Sequence, residues 1–192
     1  MAQLLTAADV QRMIANPSGE ARAETAAKVA EAFELGSLSD AERQLAEQIF
    51  RVMVQDVEIK VRESLSSHLK SSANLPHDIA LKMAKDVEQV ALPVLEFSKV
   101  LSDSDLIDIV RSSSAEKQTA VAKRAEVSGA VANALIDHGK TSGVVAALAA
   151  NKGAALGDVE MKKILDKHGS DAIVTNSLVT RPNLPLALSE RI

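Results

Sequence analysis

The feature that most constrains how this chain of 192 residues can fold is a motif that returns along its sequence. An aliphatic residue is followed three positions later by a polar residue and, after three more, by leucine, valine or alanine. These anchor triplets are Leu69-Ser72-Leu75, Leu95-Ser98-Leu101, Val121-Arg124-Val127, Leu148-Asn151-Ala154 and Leu178-Arg181-Leu184. The last residues of successive triplets are 26, 26, 27 and 30 positions apart. A period of this length is typical of proteins built from stacked helical units.

The anchor triplets are followed by signals for the start of a helix. Proline is favoured in the first helical turn, and serine is a good N-cap. The residues that follow four of the triplets are Pro76, Ser102, Ser128 and Pro185. Two units also share a closing pattern, His138-Gly139 and His168-Gly169. We expect both histidines at helix ends and Gly139 in the left-handed conformation that ends many helices.

Each unit therefore reads as helix, short turn, helix, short turn, and such a pair buries its apolar face only by stacking on its neighbours. We predict an all-α fold, an α-solenoid of helical-hairpin repeats with a period of about 26–30 residues, in residues 66–192. Residues 1–65 fit more loosely and are predicted to be three or four helices that cap the array within one elongated domain. There, Ser39 and Glu42 form a capping box, so a long helix should run from about Asp40 into the Asp56 region.

Two features of the sequence, a proline inside a helical stretch and a short last unit, depart from the regular repeat. Pro93 lies in an otherwise helical stretch, so the helix either bends there, which we favour, or begins near Leu92. The last unit has only residues 185–192 for its second helix, and no capping unit with a polar face follows. We therefore expect the chain to be a fragment of a longer protein, or its end to be covered by another subunit. An uncapped apolar end also favours a homodimer.

The composition argues against several classes of protein. The net charge is −4, with no Trp or Tyr, which counts against the cationic, aromatic groove of a nucleic-acid-binding protein. Without cysteine there is no disulfide or thiolate site. Residues 1–5 lack the features of a signal peptide. The longest apolar run, Val144 to Ala150, is far shorter than the roughly 20 residues of a membrane span. We expect a soluble, cytoplasmic protein.

No constellation of residues supports catalysis, a cofactor or a metal. His138 and His168 share a register, but stacked repeats would separate them by more than a shared metal allows. The acidic cluster at Asp103 has neither the glycine nor the glutamate of a calcium loop and suits a helix start. Ser112 to Ser114 reads as a turn, and Gly139-Lys140-Thr141 lacks the earlier glycine of a phosphate-binding loop. We predict that the protein is not an enzyme.

Arginines recur at repeat positions and are the candidate binding residues. Asn16 to Arg22 aligns with Asp56 to Arg62, and Asp86 to Leu92 takes the same register. The four candidates are Arg22, Arg62, Arg124 and Arg181. They either bond carbonyls or carboxylates of the neighbouring unit, which we favour, or form a basic strip for an acidic partner.

At this point the sequence resembles a known bacterial family. The stretch from Ala91 to Glu96 with Ser98, and that from Leu101 to Ile107, are similar to the family catalogued as domain of unknown function 2336, found mainly in alphaproteobacteria. Residues 121–124, 181–185 and 56–62 fit the same pattern. The resemblance runs from about Asp9 onward and implies a HEAT-like helical-repeat fold. It brings no activity, cofactor or catalytic residue.

Three functions compete on the sequence alone. The favoured hypothesis is a non-catalytic scaffold or regulatory module that binds a protein partner, since a solenoid presents a long curved surface. The alternatives are a HEAT-like nucleic-acid-binding protein, against which the charge and aromatic content count, and a sensory module with a small ligand between its helices. A large apolar pocket would favour the last of these.

Overall fold

A computed structural model describes residues 18–36 and 38–192 of the chain. Over these residues it contains twelve α-helices and no β-strand, which confirms the predicted all-α class. None of these helices is both long enough and apolar enough to cross a membrane. Positions 1–17 and 37 lie outside the described residues, and with them Asn16 of the aligned arginine segments and the N-terminal residues 1–5 considered above.

The contacts divide the chain into two compact units, Met1–Leu101 and Ser102–Ile192. The described helices of the first unit are α1 (Gly19–Glu34), α2 (Asp40–Met53), α3 (Ile59–Leu69), α4 (His77–Ala84) and α5 (Glu88–Phe97). Those of the second unit are α6 (Asp103–Ser112), α7 (Ala115–Ala122), α8 (Gly129–His138), α9 (Ser142–Ala150), α10 (Asp158–His168), α11 (Ala172–Val179) and α12 (Leu186–Ser189). The predicted division into a cap over 1–65 and an array over 66–192 stays a prediction.

The helices begin where the sequence places their capping residues. Ser39 and Glu42 form the predicted capping box at α2, although this helix ends at Met53 and does not continue into the Asp56 region. Ser102 caps α6 in a second box, and Ser128 caps α8 by accepting from the Val131 N–H. The prolines that follow two anchor triplets occupy the N-cap positions of α4 and α12. Of the turn predicted at Ser112 to Ser114, Ser112 is the last residue of α6, and Ser113 and Ser114 connect α6 to α7.

The ends of α8 and α10 agree with the sequence in position but not in backbone conformation. His138 and His168 are the last residues of these helices, as predicted. Gly139 follows α8, but its φ is −57°, so the prediction of a left-handed glycine is wrong. A Cβ at this position would lie 2.6 Å from the Leu135 carbonyl oxygen. Glycine is therefore required by a close backbone approach and not by a positive φ.

Within each unit, a helix packs against the helix two places further along the chain as well as against its neighbours. These alternate pairs are α1 with α3, α3 with α5, α6 with α8, α7 with α9, α8 with α10, α9 with α11 and α10 with α12. The first and last residues of the anchor triplets are buried, except for Leu184, which is half-buried. The anchor positions thus belong to the apolar core.

Pro93 lies in the interior of α5, which begins at Glu88. The alternative in which the helix begins near Leu92 is therefore wrong. Because proline has no N–H, position 93 cannot donate to the carbonyl four residues earlier, which belongs to Gln89.

Two consecutive anchor triplets of the second unit are joined by backbone hydrogen bonds. The Val127 N–H donates to the Gly153 carbonyl at 3.2 Å, and the Ala155 N–H donates to the Val127 carbonyl at 2.8 Å, which gives an isolated parallel bridge. A Cβ at Gly153 would lie 1.9 Å from the Ala125 carbonyl oxygen. The two turns can approach this closely only because residue 153 has no side chain.

Candidate functional site

The first unit contains a ladder of arginine–aspartate pairs that joins consecutive aligned segments. Arg22 on α1 donates from Nε and Nη2 to the carboxylate of Asp56, at 2.7 and 2.9 Å. Arg62 on α3 donates in the same way to Asp86, at 2.6 and 2.9 Å. The arginine of one segment thus binds the residue that opens the next. The paired geometry satisfies both oxygens of each carboxylate and fixes the arginine's orientation.

The two ladder aspartates also hold the backbone at the start of the following helix. Asp56 accepts from the Glu58 N–H at 2.9 Å, and Asp86 accepts from the Val87 N–H at 2.7 Å. Arg62 completes the connection by donating from Nη1 to the Asp56 carbonyl at 2.6 Å. The hydrogen bond that Arg22 donates lowers the pKa of Asp56 below its usual range, and the hydrogen bond that Arg62 donates to Asp86 raises the pKa of Arg62. The pairing therefore favours the charged forms of Asp56 and Arg62.

In the second unit the middle residues of two anchor triplets bind backbone carbonyls instead. Asn151 donates from Nδ2 to the carbonyls of Ala122 and Arg124, at 2.8 and 2.7 Å. Arg181 donates to the carbonyls of Ala149, Asn151 and Ala154, at 3.1, 2.7 and 3.0 Å. Each side chain thus binds carbonyls in the last turn of an earlier helix and in the segment that follows it.

Arg124 occupies the same triplet position as Asn151 and Arg181. Burial lowers its pKa, and the charge of Asp103 opposes this shift. The four predicted arginines therefore differ in their contacts. Arg22 and Arg62 lie in the first unit, and Arg124 and Arg181 lie in the second. Their service as a basic strip for a partner stays a prediction.

Gln118 on α7 is a connecting residue that our reading of the sequence missed. Its side chain is 1% exposed and makes three hydrogen bonds. Nε2 donates to the carbonyls of Val110 and His138, at 2.7 and 2.9 Å, and Oε1 accepts from the Lys140 N–H at 2.9 Å. One amide therefore ties the end of α6, α7 and the turn after α8. Its partners lie 8 to 22 residues away in sequence, so no local pattern marks it.

The charged residues of α8 and α10 form a network across their shared surface. Asp137 accepts from Lys163 at 2.7 Å and from Lys167 at 2.5 Å. Asn133 bonds both Glu160 and Lys163. The two lysine hydrogen bonds lower the pKa of Asp137 from 3.8 to about 2. This network joins neighbouring helices, and in the described part of the chain no three His, Asp or Glu residues stand close enough to hold a metal ion.

We expect the Asp137 network to make stability depend on pH in acid. Because the folded-state pKa lies below the unfolded value, its contribution is complete above about pH 4 and is lost as the pH falls towards 2. The carboxylate is more than a third exposed, so solvent screening should keep the contribution below about 1 kcal/mol. Urea unfolding of wild type and Asp137→Asn should differ at pH 7 and converge near pH 2. A difference that is constant over this range, or unchanged by high salt, would contradict the assignment.

A surface depression of about 450 Å³ lies beside the arginine–aspartate ladder of the first unit. Its walls include both ladder aspartates and Arg62, together with Lys82 and Lys85 at the end of α4. Five charged side chains line it, which is unlike the mainly apolar lining of small-molecule sites. The sequence contained no signal for this depression, because neither lysine belongs to a repeated position. This depression is therefore not the large apolar pocket that would favour a ligand sensor.

Comparisons with known proteins address the family. The model of the family described as "Uncharacterised protein conserved in bacteria (DUF2336)" matches residues 90–192, more than half of the chain. The matched region includes the stretches from Ala91 to Glu96 and from Leu101 to Ile107, on which the resemblance rests. Its extension towards Asp9 stays a prediction. No curated protein and no solved structure gave a match. The chain belongs to the bacterial DUF2336 family.

Proposed function

We propose that the protein is a HEAT-like α-solenoid that acts as a non-catalytic scaffold and binds other proteins. The packing of alternate helices within each of the two compact units supports the solenoid, since stacked hairpins bury their core in this way. The triplet period of 26 to 30 residues agrees with the same architecture. Location in the cytoplasm and the absence of enzymatic chemistry belong to this proposal.

One observation carries the binding function: apolar side chains are exposed at equivalent positions beside the ladder. Val57 follows Asp56 and is 88% exposed, and Val87 follows Asp86 and is 41% exposed. Neither belongs to the buried core, to which Val54, Val61 and Val90 contribute. Exposed apolar groups that recur with the repeat suit a surface that another protein covers.

The test is direct binding by a purified partner. The full chain serves as bait in cells of its bacterial source, and co-purifying proteins are identified by mass spectrometry, expressed and titrated by calorimetry. We expect a defined stoichiometry and weaker binding by Val57→Ser/Val87→Ser than by Ile173→Ser/Leu186→Ser, which alters two exposed aliphatic residues of the second unit. Retardation of duplex DNA at low salt, with no purified protein bound, would favour the nucleic-acid alternative instead.

A further inference from the structure

The depression beside the ladder is asymmetric in charge. The carboxylates in its wall are neutralised within the protein, since Asp56 binds Arg22 and Asp86 binds Arg62. Lys82 and Lys85 are exposed, and among the described residues no ion pair engages either side chain. Two positive charges therefore remain uncompensated on a chain whose net charge is −4. A partner that brings carboxylates to this place would gain complementary charge.

Two exposed valines accompany the depression. Val57 and Val87 directly follow in sequence the two aspartates that line it. Val57 and Val87 lie in the turns that precede α3 and α5, and Arg62 and the two aspartates hold these turns by hydrogen bonds. A binding segment would thus meet two valines on turns that are already ordered, which lowers the ordering cost of association.

From this juxtaposition we propose that the depression binds an acidic, aliphatic segment of a partner protein, with carboxylates over Lys82 and Lys85 and aliphatic side chains against Val57 and Val87. This inference rests on the proposed scaffold function and names the chemistry of its partner. The charge selects acidic segments over basic ones. The valines select a peptide over a uniformly charged polyanion, because a phosphate backbone offers no aliphatic side chain to cover them.

The probe is a fluorescein-labelled peptide of about 12 residues, rich in glutamate and leucine, with a lysine–leucine peptide of the same length as its counterpart. Anisotropy is measured with the full chain. Lys82→Gln/Lys85→Gln removes the two charges and keeps the side-chain length. Lys140→Gln/Lys152→Gln makes the same change at two exposed lysines of the second unit and is the matched control. Circular dichroism checks that every variant is folded.

We expect the acidic peptide to bind the wild type, to bind Lys82→Gln/Lys85→Gln about fivefold or more weakly, and to bind the control within about twofold of wild type. Val57→Ser/Val87→Ser should weaken it as well, and the lysine peptide should not bind. Equal affinity for both lysine variants, or no binding of the acidic peptide, overturns the proposal. The proposal is also overturned if duplex DNA competes with the peptide for the protein and binds with the same dependence on Lys82 and Lys85.

The same variants separate this inference from the scaffold function. If a purified partner binds wild type and both lysine variants equally, the scaffold stands and the depression is not its binding site. If no protein partner binds while the acidic peptide still depends on Lys82 and Lys85, the depression is a binding surface and the scaffold function fails.

Discussion

Replacing Gln118 with leucine should lower the free energy of unfolding by roughly 3–4 kcal/mol. Leucine is close in size and fits the buried site sterically, so the loss measures polar satisfaction and not a cavity. Without the amide, the carbonyls of Val110 and His138 and the Lys140 N–H lose their partner. A buried group left without a hydrogen bond costs about 1–3 kcal/mol. The bond to the Val110 carbonyl is buried and the other two are partly buried, and the added apolar burial offsets part of the sum.

Gln89→Leu is the matched control, because Gln89 is exposed on α5. There the same substitution should change stability by less than about 0.5 kcal/mol. Urea unfolding measures both, and hydrogen exchange adds a local readout: the Lys140 amide should lose protection in Gln118→Leu. If Gln118→Leu unfolds within about 1 kcal/mol of wild type, water has replaced the three hydrogen bonds and the amide is not a structural tie.

Glutamate at position 118 tests the same connection through protonation. An ionised carboxylate accepts from the Lys140 N–H but cannot donate to either carbonyl, and burial raises its pKa. Because the folded-state pKa would exceed the unfolded value, stability relative to wild type should be highest below the unfolded pKa of about 4.3 and should fall as the pH rises through the folded pKa. Unfolding at pH 4 and pH 7 would show this. A pH-independent difference would contradict it.

Local chemistry explains why several helix starts could be predicted. A serine hydroxyl caps a helix through N–H groups two or three residues away, so Ser39, Ser102 and Ser128 were sufficient to place three helix starts. The conformation of Gly139 could not be predicted, since it depends on contacts that are distant in sequence. The Lys140 N–H, which follows Gly139, donates to the Gln118 side chain, and Gly139 takes a conformation with a negative φ and not the left-handed one.

For the candidate site, the sequence predicted the kind of contact that the arginines make but not their partners. Aligning residues 16–22 with 56–62 and 86–92 placed each arginine six positions after the residue that opens its segment. We favoured contacts with carbonyls or carboxylates of a neighbouring unit, and in the structure Arg22 and Arg62 bind Asp56 and Asp86, each of which opens the next aligned segment. Which aspartate binds which arginine depends on how the helices pack against one another, and this packing cannot be read from the sequence. Lys82 and Lys85 follow no repeat and became visible only once α4 lay beside the ladder.

Replacing Arg62 with methionine should have the second large effect, a loss of about 2–3 kcal/mol in the free energy of unfolding. Methionine keeps most of the unbranched stem and removes the guanidinium. Asp86 then loses its counter-charge at a position where its side chain is 13% exposed, and the Asp56 carbonyl loses a 2.6 Å hydrogen bond. Truncating one member of a partly buried pair costs more than the pair contributes, because the remaining charge has lost its counter-charge.

The chain contains a pair of the same geometry that differs in burial. Arg51 donates from Nε and Nη2 to Asp78, at 2.9 and 3.4 Å, but these side chains are 44% and 60% exposed, against 14% and 13% for Arg62 and Asp86. Arg51→Met should therefore change stability far less, since water hydrates the aspartate that remains. Urea unfolding of the two variants therefore compares a mostly buried arginine–aspartate pair of the ladder with an exposed pair elsewhere in the same protein.

A double-mutant cycle decides whether the Arg62 effect comes from the pair. Asp86→Ala leaves the Arg62 cation without its carboxylate, and Arg62→Met/Asp86→Ala removes both charges together. We expect the double variant to lose clearly less stability than the sum of the two single losses, because each single change isolates a charge that the double change does not. Strict additivity would mean that Arg62 acts through the packing of its stem and through the Asp56 carbonyl alone. In that case the ladder would position its turns without relying on charge, and high salt should leave the difference between wild type and Arg62→Met unchanged.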